Sequence, residues 1–168
     1  MAIREILTDE QPVLRKTSHP VTNFDSRLHD LLDDMKETLA QANGVGLAAP
    51  QIGILRRAVI VMNDDGEMME LINPEIILQE GEQEGFEGCL SVPGRWGVVK
   101  RPMHVKVRAQ DRNGAFFEAE GEGLLARCFC HETEHLDGHL FVEHADKLYT
   151  TEELDEMMAQ EEEEESWG

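Results

Sequence analysis

The segment RCFCHETEHLDGHLF, residues 127–141, contains the pattern HETEH, which matches the H-E-x-x-H motif of metal hydrolases. On a helix, residues four positions apart lie on the same face, so His131 and His135 can bind one metal ion. The carboxylate of Glu132 lies to the side, where it can accept a proton from the attacking water. The pattern therefore predicts a helix that carries a hydrolytic metal site.

This motif supplies two ligands, and a catalytic zinc or iron usually has a third one from the protein. A metzincin would need histidine at position 141, where the chain has Phe141. His139 follows Gly138, which is expected to end the helix and so to direct His139 elsewhere. A thermolysin-like site would take a glutamate from the C-terminal region, where the candidates are Glu152, Glu153 and Glu156.

Cys89, in the segment FEGCLSVPG, is a further candidate for the third ligand. A thiolate binds zinc and iron(II) strongly. A free cysteine is, however, most often a small buried apolar side chain. Because Cys89 is far from His131 in the sequence, spacing alone leaves both interpretations open.

Length and charge restrict the class of protein. A chain of 168 residues is long enough for one domain with its own hydrophobic core. Its 15 basic and 35 acidic residues give a formal net charge of −20, so direct binding to nucleic acid or to an anionic membrane surface is not expected. Three cysteines, an N-terminus without a secretory pattern and the lack of a long apolar run predict a reduced, cytoplasmic protein.

Residues 25–44, DSRLHDLLDDMKETLAQANG, have leucines at helical spacing. They predict an amphipathic helix that Asp25 begins and Gly44 ends. The following segment, GVGLAAPQIG at residues 44–53, has three glycines and a proline, and no regular element is predicted there. It is too apolar for a solvated loop, so a buried irregular segment with a specific purpose is expected.

Two β-hairpins are predicted from their turn residues. Asp65-Gly66 separates AVIVM from MMELI, and Asn113-Gly114 lies within VVKRPMHVKVRAQDRNGAFFEAEGEG. Strands in hairpins favour antiparallel pairing over an alternation of strands and helices. The expected fold class is therefore α+β, with antiparallel β-sheets packed around a central helix that carries HETEH, and with an N-terminal helix.

Three segments together resemble the signature motifs of the peptide deformylase family: GVGLAAPQ at 44–51, EGCLS at 87–91 and HETEH at 131–135. The similarity extends from LRKTSHPV near the start of the chain to about Lys147. The resemblance implies an enzyme that removes the N-formyl group from the formylmethionine of newly made polypeptides and releases formate. It also implies a metal ion held by Cys89, His131 and His135, with iron(II) as the physiological ion and zinc, nickel or cobalt as replacements.

The resemblance assigns further roles. Glu132 would be the general acid and base, and the oxyanion would be bound by the side chain of Gln51 and the backbone N–H of Leu90. The expected substrate-binding residues are Val45, Gly46 and Gly88, which would pair with the peptide, and Leu124, Arg127 and Cys128, which would line the methionine pocket with Val45 opposite. Arg127 would line this pocket with its stem while its charged end reaches water. Cys130, where many relatives have glutamine, would make the site more sensitive to oxidation.

Residues 1–148 are expected to form the catalytic domain, and residues 149–168 an acidic tail that is helical at its start. Nine acids and no base between Thr151 and Glu165 argue against docking to the ribosome through this tail, because ribosomal RNA would repel it. A monomer is expected, with formylmethionyl peptides or nascent chains as partners. Two alternatives are a metallopeptidase that cleaves internal peptide bonds, with a third ligand from the tail, and a protein that is not an enzyme. The latter would be a module with a structural metal or a deformylase-like pseudoenzyme.

Overall fold

The chain forms two antiparallel β-sheets and three α-helices across residues 2–167, the part that the computed structural model describes. The helices are α1 (Ser26–Ala42), α2 (Leu124–Leu136) and α3 (Thr151–Trp167). The strands are β1 (Gly46–Ala48), β2 (Ala58–Met62), β3 (Met68–Glu80), β4 (Gln83–Cys89), β5 (Val92–Arg101), β6 (His104–Gln110), β7 (Phe116–Glu122) and β8 (Leu148–Thr150). This architecture confirms the expected α+β class.

The larger sheet contains both of the hairpins expected from the turn residues. Its strand order is β1-β2-β3-β6-β7, and all neighbouring strands are antiparallel. The smaller sheet has the order β4-β5-β8 and is also antiparallel. Residues 98–101, which the sequence places in the second hairpin, belong instead to β5 in the smaller sheet.

Helix α1 begins and ends with side chains suited to its termini. The Asp25 carboxylate accepts a hydrogen bond from the backbone N–H of Leu28 at 3.1 Å, as expected for an N-cap. The residue in the left-handed conformation at the other end is Asn43, with φ of 55°, one position before the predicted Gly44. The Gly44 N–H still contributes, because it donates to the Leu39 carbonyl at 3.3 Å.

The glycine-rich segment at residues 44–53 and the segment around Cys89 are more regular than the sequence indicates. Residues 46–48 form strand β1, which pairs with β2, and Ala49–Ile52 form a turn of 3₁₀ helix. The prediction of no regular element there is therefore wrong, although the segment is buried as expected. The segment around Cys89 forms the β4–β5 hairpin, whose connection is Leu90 and Ser91.

Helix α2 packs against strands β1, β2, β3, β6 and β7 of the larger sheet and also contacts β5 of the smaller one. Its apolar side joins the largest core cluster, in which the fully buried residues from α2 include Ala126, Phe129 and Leu136. The helix therefore packs mainly on the larger sheet and has a smaller contact with the other one.

Helix α3 is anchored at its first turn. Thr150 and Glu153 form a capping box, in which each side chain accepts a hydrogen bond from the backbone N–H of the other residue, at 3.1 and 3.2 Å. Leu154 is buried, whereas the acidic side chains of this helix up to Glu162 are exposed. Within residues 2–167, no helix combines the length and the apolar character needed to cross a membrane.

Candidate metal centre

Cys89, His131 and His135 bring one potential ligand atom each to the same point. These three atoms all lie within 4.8 Å of one another, and Cys89 Sγ is 3.4 Å from His135 Nε2. The other candidates for the third ligand are elsewhere: His139 is exposed and contacts Glu143. Among the residues that the structure describes, no glutamate of α3 belongs to a group of metal-binding geometry.

Local structure explains how these atoms converge. His131 and His135 are one helical turn apart on α2, so their rings lie side by side with centroids 4.9 Å apart. Cys89 is the last residue of β4, and the pairing of β4 with β5 shifts register between Glu87 and Cys89. Such an irregularity redirects a side chain at the end of a strand, here towards α2.

The orientation of His131 is set by a buried carboxylate. Glu87 Oε1 accepts a hydrogen bond from His131 Nδ1 at 2.8 Å, which leaves Nε2 as the ligand atom of the imidazole. Arg101 donates to both oxygens of Glu87, at 2.8 and 3.0 Å, and Arg127 donates to Oε2 at 2.6 Å. Burial alone would raise the pKa of Glu87, but the hydrogen bonds from His131 and Arg101 hold it well below its usual range.

The chemistry of the donors fits a divalent transition metal. Burial is the main cause that lowers the pKa of His135 well below its usual value, so its imidazole is neutral as a ligand must be. One sulfur and two imidazole nitrogens suit zinc, iron(II) and similar ions rather than magnesium or calcium. The residues present therefore fit a bound metal ion with an open position for substrate.

Glu132 lies in the same turn of α2 but has a different environment. Its side chain is almost fully buried, and Oε1 has no hydrogen-bond partner among the described residues. Burial raises the pKa of Glu132 to about 7. A carboxyl group with this pKa and an oxygen atom without a hydrogen-bond partner can both accept and return a proton near neutral pH.

Gln51 extends its amide group to the same place from the 3₁₀ turn after β1. Its Oε1 accepts a hydrogen bond from the backbone N–H of Ala48 at 2.8 Å, which fixes the amide orientation. Its Nε2 donates to Ser91 Oγ at 3.0 Å and lies 3.6 Å from Cys89 Sγ. A hydrogen-bond donor is therefore held beside the three ligand atoms, near the connection between β4 and β5 that contains Leu90.

A cavity of about 480 Å³ opens beside this cluster. It is lined by all the residues expected to contact the substrate: Val45, Gly46, Gly88, Leu124, Arg127 and Cys128. Gln51, Leu90 and Glu132 also reach its surface, as do Cys89 and His131. The structure thus brings the whole set of sequence-predicted site residues to one place, with His135 immediately behind Cys89.

Two details of the expected site are wrong. The charged end of Arg127 does not reach water: the side chain is only 9% exposed, and its guanidinium is hydrogen-bonded to Glu87. Cys130 is buried, and burial raises the pKa of its thiol to about 11. A buried neutral thiol reacts slowly with oxidants, so the proposed sensitivity of Cys130 is not supported.

Sequence reasoning missed Glu87, Arg101 and Trp96. Glu87 is the first residue of the EGCLS segment, and its position next to a candidate ligand was the available signal for a supporting role. Arg101 gave no local signal. The Trp96 ring lies against Gly88, where a Cβ would overlap it, and forms part of the cavity wall.

Comparisons with known proteins agree with this geometry. Residues 3–151 match the family model described as polypeptide deformylase. The chain is 54% identical over 156 residues to a peptide deformylase of Caldicellulosiruptor bescii, and this alignment covers 93% of each chain. It is 55% identical over 143 residues to a peptide deformylase from Alkaliphilus metalliredigens, and this alignment covers 85% of this chain and 97% of the relative.

Solved structures are similar as well. A peptide deformylase from Legionella pneumophila superimposes with a TM-score of 0.84 at 45% identity, over 95% of this chain and 92% of that chain. A class I type b peptide deformylase from Acinetobacter baumannii, with Met-Ala-Ser bound, has a TM-score of 0.80 at 34% identity, over 84% of this chain and 98% of that chain.

Proposed function

The chain belongs to the polypeptide deformylase family, and we propose that Cys89, His131 and His135 hold its catalytic metal ion while Glu132 transfers the protons of the reaction. The enzyme hydrolyses the N-formyl group at the amino terminus of newly made polypeptides and is metal-dependent. The observation that carries the assignment of residues is the convergence of the three ligand atoms beside the buried Glu132. Cleavage of internal peptide bonds, the alternative enzyme class, is not supported by the comparisons.

A divalent ion bound by these three side chains would act as a Lewis acid, which acidifies water towards a pKa of about 7 and polarises a carbonyl oxygen. Iron(II) is the proposed physiological ion, and zinc, nickel and cobalt are proposed replacements. A thiolate donates more charge than a carboxylate and favours such softer ions, which supports this choice.

Glu132 is proposed to act first as a base and then as an acid. It takes the proton of the attacking water and returns it to the nitrogen that leaves when the formyl C–N bond breaks. Its buried carboxyl, with a pKa raised to about 7 by burial, suits both steps at neutral pH. Formate and a polypeptide with a free amino terminus are the products.

The oxyanion of the tetrahedral intermediate requires donors on the cavity side of Cys89. We assign this role to Gln51 Nε2 and to the backbone N–H of Leu90. The position of the Gln51 amide, fixed by the Ala48 N–H and only 3.6 Å from Cys89 Sγ, supports the first assignment. Leu90 directly follows the ligand, and this adjacency supports the second.

The cavity is proposed to bind the methionine side chain and the start of the peptide. Leu124 and Cys128 would form one wall and Val45 the opposite one, and all three line the cavity. Gly46 and Gly88 would leave their backbones accessible for strand-like pairing with the peptide. The Acinetobacter baumannii relative with Met-Ala-Ser bound supports a peptide that begins with methionine.

The proposed setting is the cytoplasm, where a monomer would act on nascent chains without binding nucleic acid directly. The formal net charge of −20 and the exposed acidic side chains of α3 support the absence of direct nucleic-acid binding. Division of the chain into a catalytic domain at 1–148 and an acidic tail at 149–168 also remains a proposal.

Formate release from a formyl-Met peptide tests the function. Protein prepared with iron(II) under anaerobic conditions should release formate, Glu132→Ala should retain the metal but lose activity by about 10²- to 10⁴-fold, and Cys89→Ser should lose metal. A metallopeptidase would instead cleave internally and survive Cys89→Ser, and a structural metal module would be indifferent to Glu132→Ala. Metal-loaded wild-type protein that releases no formate would refute the proposal.

A further inference from the structure

The three proposed ligands come from two different parts of the fold. Cys89 lies at the end of β4 in the smaller sheet, whereas His131 and His135 lie on α2, which packs mainly on the larger sheet. The distance between the Cys89 sulfur and the two imidazoles therefore depends on the contacts that join α2 to β4 and β5. An apolar junction would be the ordinary solution in a buried region.

The junction instead contains four charged side chains that are joined in a chain of ion pairs. Its members are Glu87 on β4, Arg101 on β5, and Arg127 and Glu134 on α2. Arg101 binds Glu87 through two hydrogen bonds and Glu134 through one of 2.6 Å, and Arg127 binds Glu87 at 2.6 Å. We call these four residues the charge network.

Within the charge network, Arg127 is the α2 residue that contacts both strands, whereas Glu134 joins α2 to β5 alone, through Arg101. Its Nη1 donates to the Glu87 carboxylate on β4 and to the carbonyl of Val99 on β5 at 3.1 Å. A third, longer contact of 3.5 Å reaches the Gly85 carbonyl on β4. Position 85 is a glycine, and a Cβ there would lie 3.2 Å from Arg127 Nη2, so the strand has little room for a side chain beside the guanidinium.

Buried ion pairs of this kind seldom stabilise a fold more than apolar residues of the same size, but in some proteins they specify one arrangement of the groups they join. The planar guanidinium is suited to this purpose because its donors have fixed directions. Glu87 holds Arg127 with one oxygen and His131 with the other, so a displacement of Arg127 would be transmitted to the imidazole of a proposed ligand.

We propose that Arg127 is a positioning residue for the metal site, because it fixes the placement of the Cys89-bearing sheet relative to the two histidines of α2. This role rests on the proposed assignment of the ligands. Arg127 touches neither the metal nor the reacting atoms, and it acts through Glu87 and through the backbones of β4 and β5.

Metal binding measured without substrate tests this role. Arg127→Met keeps the apolar stem that lines the cavity but removes the guanidinium, and Arg127→Lys keeps the charge without the planar fork. Arg15→Met is the control, since Arg15 forms an exposed ion pair with Glu143 at 3.1 Å. The measurements are the zinc dissociation constant, from competition with a chelator, and the absorption spectrum of the cobalt(II)-loaded protein.

We expect Arg127→Met to weaken zinc binding by about 10-fold, as observed when partners of metal ligands are removed, and to shift the cobalt ligand-field bands. Arg127→Lys should lie between wild type and Arg127→Met, and Arg15→Met should match wild type. If Arg127→Met does not fold, the Arg127→Lys spectrum decides. A zinc dissociation constant within twofold of the wild-type value, together with unshifted cobalt bands, would overturn the proposal, whatever happens to thermal stability.

The same spectra separate this inference from the ligand assignment. Wild-type protein should show a sulfur-to-cobalt charge-transfer band that Cys89→Ser abolishes. A wild type without this band, or a Cys89→Ser variant that retains it, would contradict the ligand assignment itself and with it the role of Arg127. A band that depends on Cys89 but not on Arg127 would contradict only the role of Arg127.

Discussion

Gly46 lies directly against the carboxylate of Glu132, with no space between them for a side chain. A Cβ at position 46 would overlap a carboxylate oxygen of Glu132 and would lie 2.9 Å from both Cγ and Cδ of that side chain. Gly46 is in strand β1 and pairs with Val61, and its φ is not in the left-handed region, so the glycine is needed for this close approach rather than for a special backbone conformation.

We therefore expect Gly46→Ala to displace the Glu132 carboxylate while the fold and the metal remain. The kcat for a formyl-Met peptide should fall by about 100-fold, the lower end of the range for general acid–base catalysis. Gly44→Ala is the control, because its Cβ would meet only the ends of the Leu39 and Leu90 side chains, which can move. Equal activity of the two variants would show that position 46 does not constrain Glu132.

Glu87→Gln should weaken both metal binding and the fold. The amide cannot balance the buried Arg101 and Arg127, so we expect a loss of about 3–5 kcal/mol in the free energy of unfolding of the metal-free protein. Loss of the charged partner of His131 should also weaken zinc binding by about 10- to 100-fold. Glu84→Gln, an exposed position on the same strand, should change neither quantity in denaturant titration and chelator competition.

Gln51→Leu should separate catalysis from metal binding. Removal of the Nε2 donor should reduce kcat by about 10²- to 10³-fold, as for other oxyanion donors, with metal content unchanged. The buried Ala48 N–H would lose its acceptor, at a cost of about 1–3 kcal/mol in stability. Ser91→Ala removes only the other partner of Nε2 and should have a much smaller effect on kcat. Loss of metal from Gln51→Leu would contradict this assignment.

The three cysteines should differ in their reaction with a thiol reagent. Burial raises the pKa of the thiols of Cys128 and Cys130 to about 12 and 11, so both are neutral and shielded at pH 7. Cys89 is only partly buried. In folded, metal-free protein one equivalent of reagent should react quickly, and Cys89→Ser should abolish this phase. Bound zinc should suppress this fast phase in the wild type. A fast phase that persists in Cys89→Ser would contradict the prediction that Cys89 reacts before Cys128 and Cys130.

Removal of the acidic part of α3 should not reduce association with ribosomes, because its side chains repel ribosomal RNA. A chain that ends at Leu154 keeps the hydrogen bond of 3.1 Å from Trp96 Nε1 to Thr151 Oγ1, and with it the cavity wall. Its activity should equal that of the full chain. A chain that ends at Thr150 loses this bond and should have a higher KM. Co-sedimentation tests whether the acidic part of α3 contributes to association with ribosomes. Loss of ribosome binding in the chain that ends at Leu154 would refute the prediction.

Much of the fold was predictable because its signals are local. Helical spacing of apolar residues identified α1, the HETEH pattern identified α2, and the two Asx-Gly turns identified the hairpins of the larger sheet. The strands β1, β4 and β8 were missed. In β4 the glycines obscure the alternation of side chains, and Gly88 is accommodated because the Trp96 ring fills the space beside it.

By itself, the sequence determined that His131 and His135 share one helix face with Glu132 beside them, since this follows from helix geometry. Resemblance to a family, rather than spacing, selected Cys89. Only the tertiary structure decided that Cys89 reaches the histidines and that Glu87 accepts hydrogen bonds from His131, Arg101 and Arg127. The buried guanidinium of Arg127 shows the reason: the partners of a charged side chain are set by contacts between segments distant in sequence, which local patterns do not encode.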